Sequence, residues 1–533
     1  MERQTSAASL QAALAAREPL ALLDVREMGE YRLGHIFGAT PLPLGDLEER
    51  ARRYVPQPHL EVVVCGGDDG RQGRAAQRLR AMGFSNVSVL AGGVSGWQQE
   101  GRAGATGWGF EGKQFGEQVA VAERIPHVDA EEVAAGLDDP EVIVLDSRTP
   151  AEFLKGHIPG ARWLPPFQSL LHAADLCRAH RSVYVNCAGR TRSLLGARLL
   201  RGMGFDNVYA VQNGTWGWLH SGRKLEKGEG ATVAPPTDAA LAQADAYARA
   251  LAGRRGIDIL DADQARHFTQ AAASGYVVDV RGLDAFRAAH VPGSFHIEGS
   301  LLQFLAEERF AVRSLPVLVI GEQTADGAAG AALLRDLGYA AYCIEGGFAA
   351  WQSSDAPTQA GDEQWPDAGV PEPGMGAVEI LDWPVASRRL HDGAAVALDL
   401  RSLGDFTLGH LPGALSLPLG RLEEMHASLV KGLAYIAVGE GRKAVRGAAR
   451  LRAAGFNAAA LDIGMAELAR RGLELVEGLD GSNASLDDAK QDVDPFRRKG
   501  ALRQSVGESH AYLQWERALA HPEAHGVPIT TTA

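Results

Sequence analysis

Cys187 ends an apolar, β-branched run at residues 183–186 and is followed within five positions by Arg190 and Arg192, after which a helical pattern, LLGARLLRGMG, begins. A thiol at the end of a strand, where a short loop turns into a helix, meets the N–H groups of the loop and of the first helical turn. Neighbouring guanidinium groups add positive charge, and both influences favour the thiolate. The residue types therefore predict a nucleophilic thiolate flanked by two cationic side chains. No histidine is needed as a base.

The other cysteines lack this setting. Cys343 lies in a strand-like run, AYCIEGG, and reads as core; Cys177 lies in a helical stretch of mixed polarity. Cys65 ends a strand, but the loop after it is GGDDG, and carboxylates raise a thiol pKa. Four cysteines with no C-x-x-C pair argue against a disulfide framework or a thiolate metal site, and they suit a reducing cytoplasm. A formal net charge of −13 argues against nucleic-acid and anionic-membrane partners. No apolar run approaches the roughly 18 residues of a membrane span, and the N-terminal stretch reads as an alanine-rich helix with no secretory pattern.

The elements that must position Cys187 recur along the chain. An Asp-x-Arg tripeptide after an apolar run occurs at Asp24/Arg26, Asp146/Arg148, Asp279/Arg281 and Asp399/Arg401. Each aspartate is followed by an aromatic residue (Tyr31, Phe153, Phe286, Phe406) and then by a histidine (His35, His157, His290, His410) before a glycine-containing turn such as GHIPGA. The spacing of these blocks suits a complete small domain and is too long for a solenoid unit. In each copy a later strand leads through a loop into an amphipathic helix closed by glycine. A further strand then reaches another glycine, with Trp97, Trp218 or Trp351 beyond it in three copies. Strands alternating with helices predict α/β domains with mostly parallel sheets. Because the Asp, Arg and His recur in copies that lack the cysteine, they read as fold-holding groups, the Asp and Arg as a buried ion pair. The tryptophans read as packing residues.

Counting back from each closing glycine without gaps, the position of Cys187 is held by Gly66 in copy one, Gly321 in copy three and Val438 in copy four. Only copy two combines a thiol with two cationic side chains. The expected boundaries are 1–104, 125–225, 257–355 and 376–476 for the four copies, with a tail at 477–533. Residues 100–125 read as a joint, and the alanine-rich stretch within 221–257 as a separator between the first two copies and the last two. The acidic, Pro/Gly-rich stretch at 354–375 reads as a linker. The tail reads as mobile at first, with one closing helix near 504–520.

Together, the Asp-x-Arg, the acidic-aromatic step, GHIPGA, the Cys-initiated loop before a helix and the final glycine and tryptophan resemble the rhodanese (sulfurtransferase) domain. The resemblance implies four tandem three-layer α/β/α domains, of which only the second is catalytic. It implies that Cys187 carries a sulfane sulfur as a persulfide, cradled by Ala188, Gly189, Arg190, Thr191, Arg192 and Ser193. The expected partners are a small anionic sulfur donor and a thiol, cyanide or protein acceptor, with no cofactor and no metal. Gly189 stands one position earlier than in the family's commonest loop, C-x-x-G-x-R-S, which bears on donor preference. Phosphatase chemistry needs an arginine six positions after the cysteine, where this chain has Ser193. A non-catalytic scaffold is the other alternative.

Overall fold

A computed structural model describes residues 3–270, 275–363, 372–493, 495, 497–498, 502 and 504–521. The described residues form four five-stranded sheets with one strand order and all-parallel pairing. In copy two that order is Arg162–Trp163, Val142–Asp146, Ser182–Asn186, Val208–Val211 and His127–Val128. Helices on both faces bury the central strands, whose sequences are accordingly near-continuous apolar runs such as VIVLD and VLVI. No described helix is long and apolar enough to cross a membrane.

The recurrent residues are the frame of each copy. Arg148 folds back on Asp146 at 2.7 Å and also donates to the carbonyl of Gly156, tying the end of the strand Val142–Asp146 to the C-terminal cap of the short helix Pro150–Lys155. Arg26, Arg281 and Arg401 do the same with their own aspartates, at 2.7, 2.7 and 2.6 Å. Breaking such a buried pair costs about 3–5 kcal/mol. Each histidine stacks on the aromatic four residues before it, with centroids 3.7–3.9 Å apart, and its Nδ1 bonds that residue's carbonyl. Trp97, Trp218 and Trp351 are buried, and each indole N–H donates to a carbonyl six residues on, fastening the closing helix and the chain that leaves it.

The pairing of copies differs from the linear expectation. The chain divides into two compact units, residues 1–107 with 365–503, and 108–364 with 504–533. Copies one and four thus share a unit, as do copies two and three. The alanine-rich helix Asp238–Arg255 is no separator: it packs on both Pro166–Ala179 of copy two and Thr324–Asp336 of copy three. Its small side chains on one face, Ala240, Ala244, Ala248 and Ala252, are buried and allow that approach. The joint contains a nearly fully buried helix, Phe110–Ala122.

The tail also differs from expectation. Within the stretch read as mobile, Leu486–Asp492 is a helix fixed in the first unit. Asp492 accepts hydrogen bonds from the amides of Gly29 (2.9 Å) and Gly404 (2.6 Å), in the first turns of equivalent helices of copies one and four. The closing helix exists at Val506–Ala518.

Candidate active site

The strand Ser182–Asn186 delivers Cys187 to the C-terminal edge of its sheet, with Asn186 in register with Asp146 and donating to it at 3.0 Å. The loop's carbonyls are turned away from the sulfur. Cys187 O accepts from Thr215 N (2.8 Å) and Ala188 O from Trp216 N (3.1 Å), both on the helix Gly214–His220. Gly214 must be glycine: at φ +54° a Cβ would lie 2.1 Å from Cys187 O. With the carbonyls so engaged, the amides of Ala188, Gly189 and Arg190 donate to no acceptor among the described residues. A run of unused amides beside a sulfur is an anion seat.

The helix Thr191–Gly202 starts at the end of this loop, and Ser193 is its link to the sulfur. The thiol donates to Ser193 Oγ at 3.6 Å, and that hydroxyl donates to Arg190 O at 2.8 Å. Arg190 and Arg192 do not point bare charge at Cys187. Arg190 is bidentate on Glu117 (2.6 and 2.8 Å), and Arg192 is bidentate on Glu152 (2.7 and 2.8 Å). Burial alone would raise Glu152, but Arg192 holds its carboxyl below the usual range. Phe304 of copy three lies 5.9 Å from the Arg192 guanidinium.

These ties correct the expected electrostatics. Cys187 is 1% exposed, and burial pushes its thiol pKa up. Arg192 and the Ser193 hydroxyl and amide pull the other way without reversing the shift, while Glu516 adds to it. Cys65 is also buried and raised, by burial and by Asp24, which lies in register with it, rather than by the GGDDG carboxylates. Burial likewise pushes Cys177 and Cys343 up to about 12.

Two elements outside copy two close over the loop. Gly116 of the helix Phe110–Ala122 lets it approach so closely that a Cβ there would lie 2.9 Å from Thr191 Cγ2. The tail helix Val506–Ala518 covers the other side. Glu516 accepts from Thr191 Oγ1 at 2.6 Å, Arg517 donates to Asn213 Oδ1 at 2.9 Å, and Ser509 Oγ meets His220 Nε2 at 2.8 Å. Tyr512 packs edge-on against Trp216, with centroids 5.0 Å apart. Gly189 of the loop faces this helix: a Cβ there would stand 3.3 Å from Glu516 Oε2 and 3.6 Å from Leu513.

The strand registers also correct the alignment of copy four. Asp24, Asp146, Asp279 and Asp399 lie opposite Cys65, Asn186, Ile320 and Val438. The counterparts of Cys187 are therefore Gly66, Gly321 and Gly439; Val438 is one step early, because copy four has one residue fewer between the strand end and the closing glycine. Sequence reasoning also missed Glu117, Glu152 and Glu516. A signal for Glu152 was present. In copy one Glu30 pairs with Arg71 at 2.6 Å, in the same two positions, whereas copy three has Ala285 and Asp326 there and copy four has Asp405 and Ala444.

Comparison with known proteins agrees with this architecture. The profile of the rhodanese-like domain matches residues 6–100, 129–221 and 258–354, together more than half of the chain. Those residues do not include copy four, whose sheet has the same strand order. The crystal structure of a thiosulfate sulfurtransferase from Pseudomonas aeruginosa is similar over 99% of both chains, with 28% identity and a TM-score of 0.87. A sulfurtransferase of Allochromatium vinosum is 29% identical over 107 residues, 20% of this chain and 99% of that protein. The uncharacterized protein YqhL of Bacillus subtilis is 38% identical over 76 residues, 14% of this chain and 59% of that protein. Among the first curated relatives matched, the chain spans 42% and 59% of their own length.

Proposed function

This chain belongs to the rhodanese-like domain family, and on that premise we propose that it is a sulfurtransferase acting through a persulfide on Cys187. The donor is thiosulfate or a low-molecular-weight persulfide, and the acceptor is a thiophile: a thiol, cyanide or a protein cysteine. The thiolate of Cys187 attacks the outer, sulfane sulfur of the donor. A new S–S bond forms as the donor's own bond to that sulfur breaks, and the leaving group keeps the electron pair. The acceptor then attacks the same sulfur and releases the Cys187 thiolate.

The observation that carries this reading is the set of amides at Ala188, Gly189 and Arg190, beside a sulfur, with no acceptor among the described residues. They hold the negative charge of the persulfide, assisted by Thr191 and Ser193. Arg190 spends Nε and Nη2 on Glu117, so its Nη1 lies outside that pair and is available to steer an anionic donor. Arg192, fixed by Glu152, sets the outer wall with Phe304 of copy three. A role for at least one silent copy follows: copy three shapes the approach to Cys187.

We assign catalysis to the copy at 125–225 alone, with the copies at 1–104, 257–355 and 376–476 inactive, because their loops begin with glycine. All four cysteines are free, which suits a reducing compartment, and we place the protein in the cytoplasm. The test is thiocyanate formation from cyanide with thiosulfate, and separately with glutathione persulfide, by the full chain and by Cys187→Ser. Turnover that vanishes in the variant supports the reading. A second reading, a non-catalytic repeat scaffold, draws on the burial of Cys187 under the tail helix, and absence of turnover with every donor would favour it.

A further inference from the structure

Within the second unit, copies two and three enclose a cavity of about 530 Å³. The helices Pro166–Ala179 and Thr191–Gly202 of copy two wall one side and Thr324–Asp336 of copy three the other, and the alanine-rich helix Asp238–Arg255 spans them. Its volume is that of a small-molecule site. Phe167, Leu195, Leu199, Leu251 and Leu333 make much of the wall apolar. Arg192, the loop residue held by Glu152, lines it as well.

The charged groups on these walls pair unevenly. Arg198 donates to Glu123 (2.8 Å) and to Asp336 (2.7 Å), and Arg255 reaches the other oxygen of Asp336 at 3.0 Å. The guanidinium of Arg254 has neither a carboxylate nor a hydrogen-bond acceptor among the described residues. It lies at the exposed rim, 5.7 Å from the centroid of the Tyr247 ring. With Arg192 matched by Glu152, three arginines face two carboxylates, and one positive charge is left over.

Tyr247 supplies a second unused group. Its hydroxyl makes no hydrogen bond with a described residue. Gly202, at the end of the helix opposite, is what admits it: a Cβ there would collide with Tyr247 Oη. Burial pushes this hydroxyl above its ordinary value near 10, while Arg254, Arg198 and Arg255 pull the other way, so it remains a donor at neutral pH. A phenol O–H and an unpaired guanidinium side by side call for an acceptor that carries negative charge. The walls beneath them call for an apolar body. Glu123 and Asp336 on the same walls work against a ligand with more than one negative charge.

We infer that this cavity binds an organic monoanion, a carboxylate on an apolar body. Its acid group meets Arg254 and Tyr247, and its body lies among Phe167, Leu199 and Leu333. The inference goes beyond sulfur transfer and stands whether or not Cys187 carries sulfur.

The experiment is calorimetric titration of the full chain with octanoate, with 2-naphthoate and with octan-1-ol, which keeps the chain and removes the charge. Each anion is expected to bind at one site per chain, with a Kd of about 1 mM or tighter, and the two should compete. Whichever binds more tightly tells a linear body from a flat ring. Octan-1-ol should bind at least about fivefold more weakly than octanoate. Arg254→Gln should weaken octanoate about tenfold and octan-1-ol less than about twofold, and Tyr247→Phe should weaken octanoate about threefold. The comparison of octanoate with octan-1-ol on the unmodified chain stands independently of any variant's folding. No saturable binding of either anion, octan-1-ol binding as tightly as octanoate, or an octanoate affinity unchanged in Arg254→Gln would overturn the inference.

Discussion

In copy two the strand Ser182–Asn186 is followed by Cys187, and the amides of Ala188 and Gly189 have no acceptor among the described residues. In copy three the strand Val317–Ile320 is followed by Gly321, and the equivalent amides, those of Glu322 and Gln323, both donate to the Asp326 carboxylate at 2.7 Å. Asp326 occupies the position of Arg192. Both loops turn their carbonyls toward the glycine-started helix that follows, and both bring their amides inward. The third copy shows what this backbone does when nothing else intervenes: it binds an anion, and there the anion is its own. The second copy has Arg192 where copy three has Asp326, Glu152 where it has Ala285, and Cys187 where it has Gly321. In copy three the seat is occupied by Asp326 and the cysteine is absent.

The comparison can be broken most severely at the thiol. Cys187→Ser is expected to lower sulfur transfer on the order of a thousandfold or more, while Asp326→Ala, which empties the seat of copy three, leaves it unchanged; a thiocyanate assay on both variants checks this. Next comes the clamp behind each loop. Gly214→Ala would place a Cβ 2.1 Å from Cys187 O, and Gly347→Ala would place one 2.5 Å from Glu322 O, each at a left-handed φ. Both should lose about 2–4 kcal/mol of stability in urea unfolding. Only Gly214→Ala should also slow loading of Cys187; an equal slowing in Gly347→Ala would mean the two loops are not independent.

Two pH effects sharpen the comparison. Because burial raises the Cys187 thiol above its ordinary value near 9, the loading rate should climb with pH and show no plateau below pH 9. A plateau near neutrality would mean the arginines outweigh burial. The smallest effect concerns Asp326, which burial raises to about 6 although two amides favour its charged form. A carboxyl whose pKa is higher folded than unfolded contributes stability below its unfolded pKa, and that contribution is lost as pH rises toward 6. Asp326→Asn should remove this decline, on the order of 1–3 kcal/mol between pH 4 and 7, in paired thermal melts.

The frame of each copy was legible because it is written four times. Asp146, Arg148 and His157 recur at fixed spacing, and local spacing is what sets a bidentate pair two residues apart or a ring stacked one helical turn away. The loop was legible for the same reason, through its place between strand and helix. What failed was whatever depends on chain far away. Glu117 and Glu516 meet Arg190 and Thr191 from 73 and 325 residues away, and no local pattern marks them. The thiol's environment was therefore misjudged: two arginines in the sequence promise a low pKa, and burial, with Glu516 adding to it, withdraws it. The one-residue error in copy four arose because counting from a helix end carries any shortening of the loop back to the strand, whereas hydrogen-bond register does not.

The most direct test of the central claim is peptide mass spectrometry of the full chain after brief exposure to thiosulfate or cysteine persulfide, followed by cyanide. The account predicts one additional sulfur on the peptide containing Cys187, removed by cyanide, and none on Cys65, Cys177 or Cys343. Sulfur on Cys65, or on no cysteine with either donor, would contradict it.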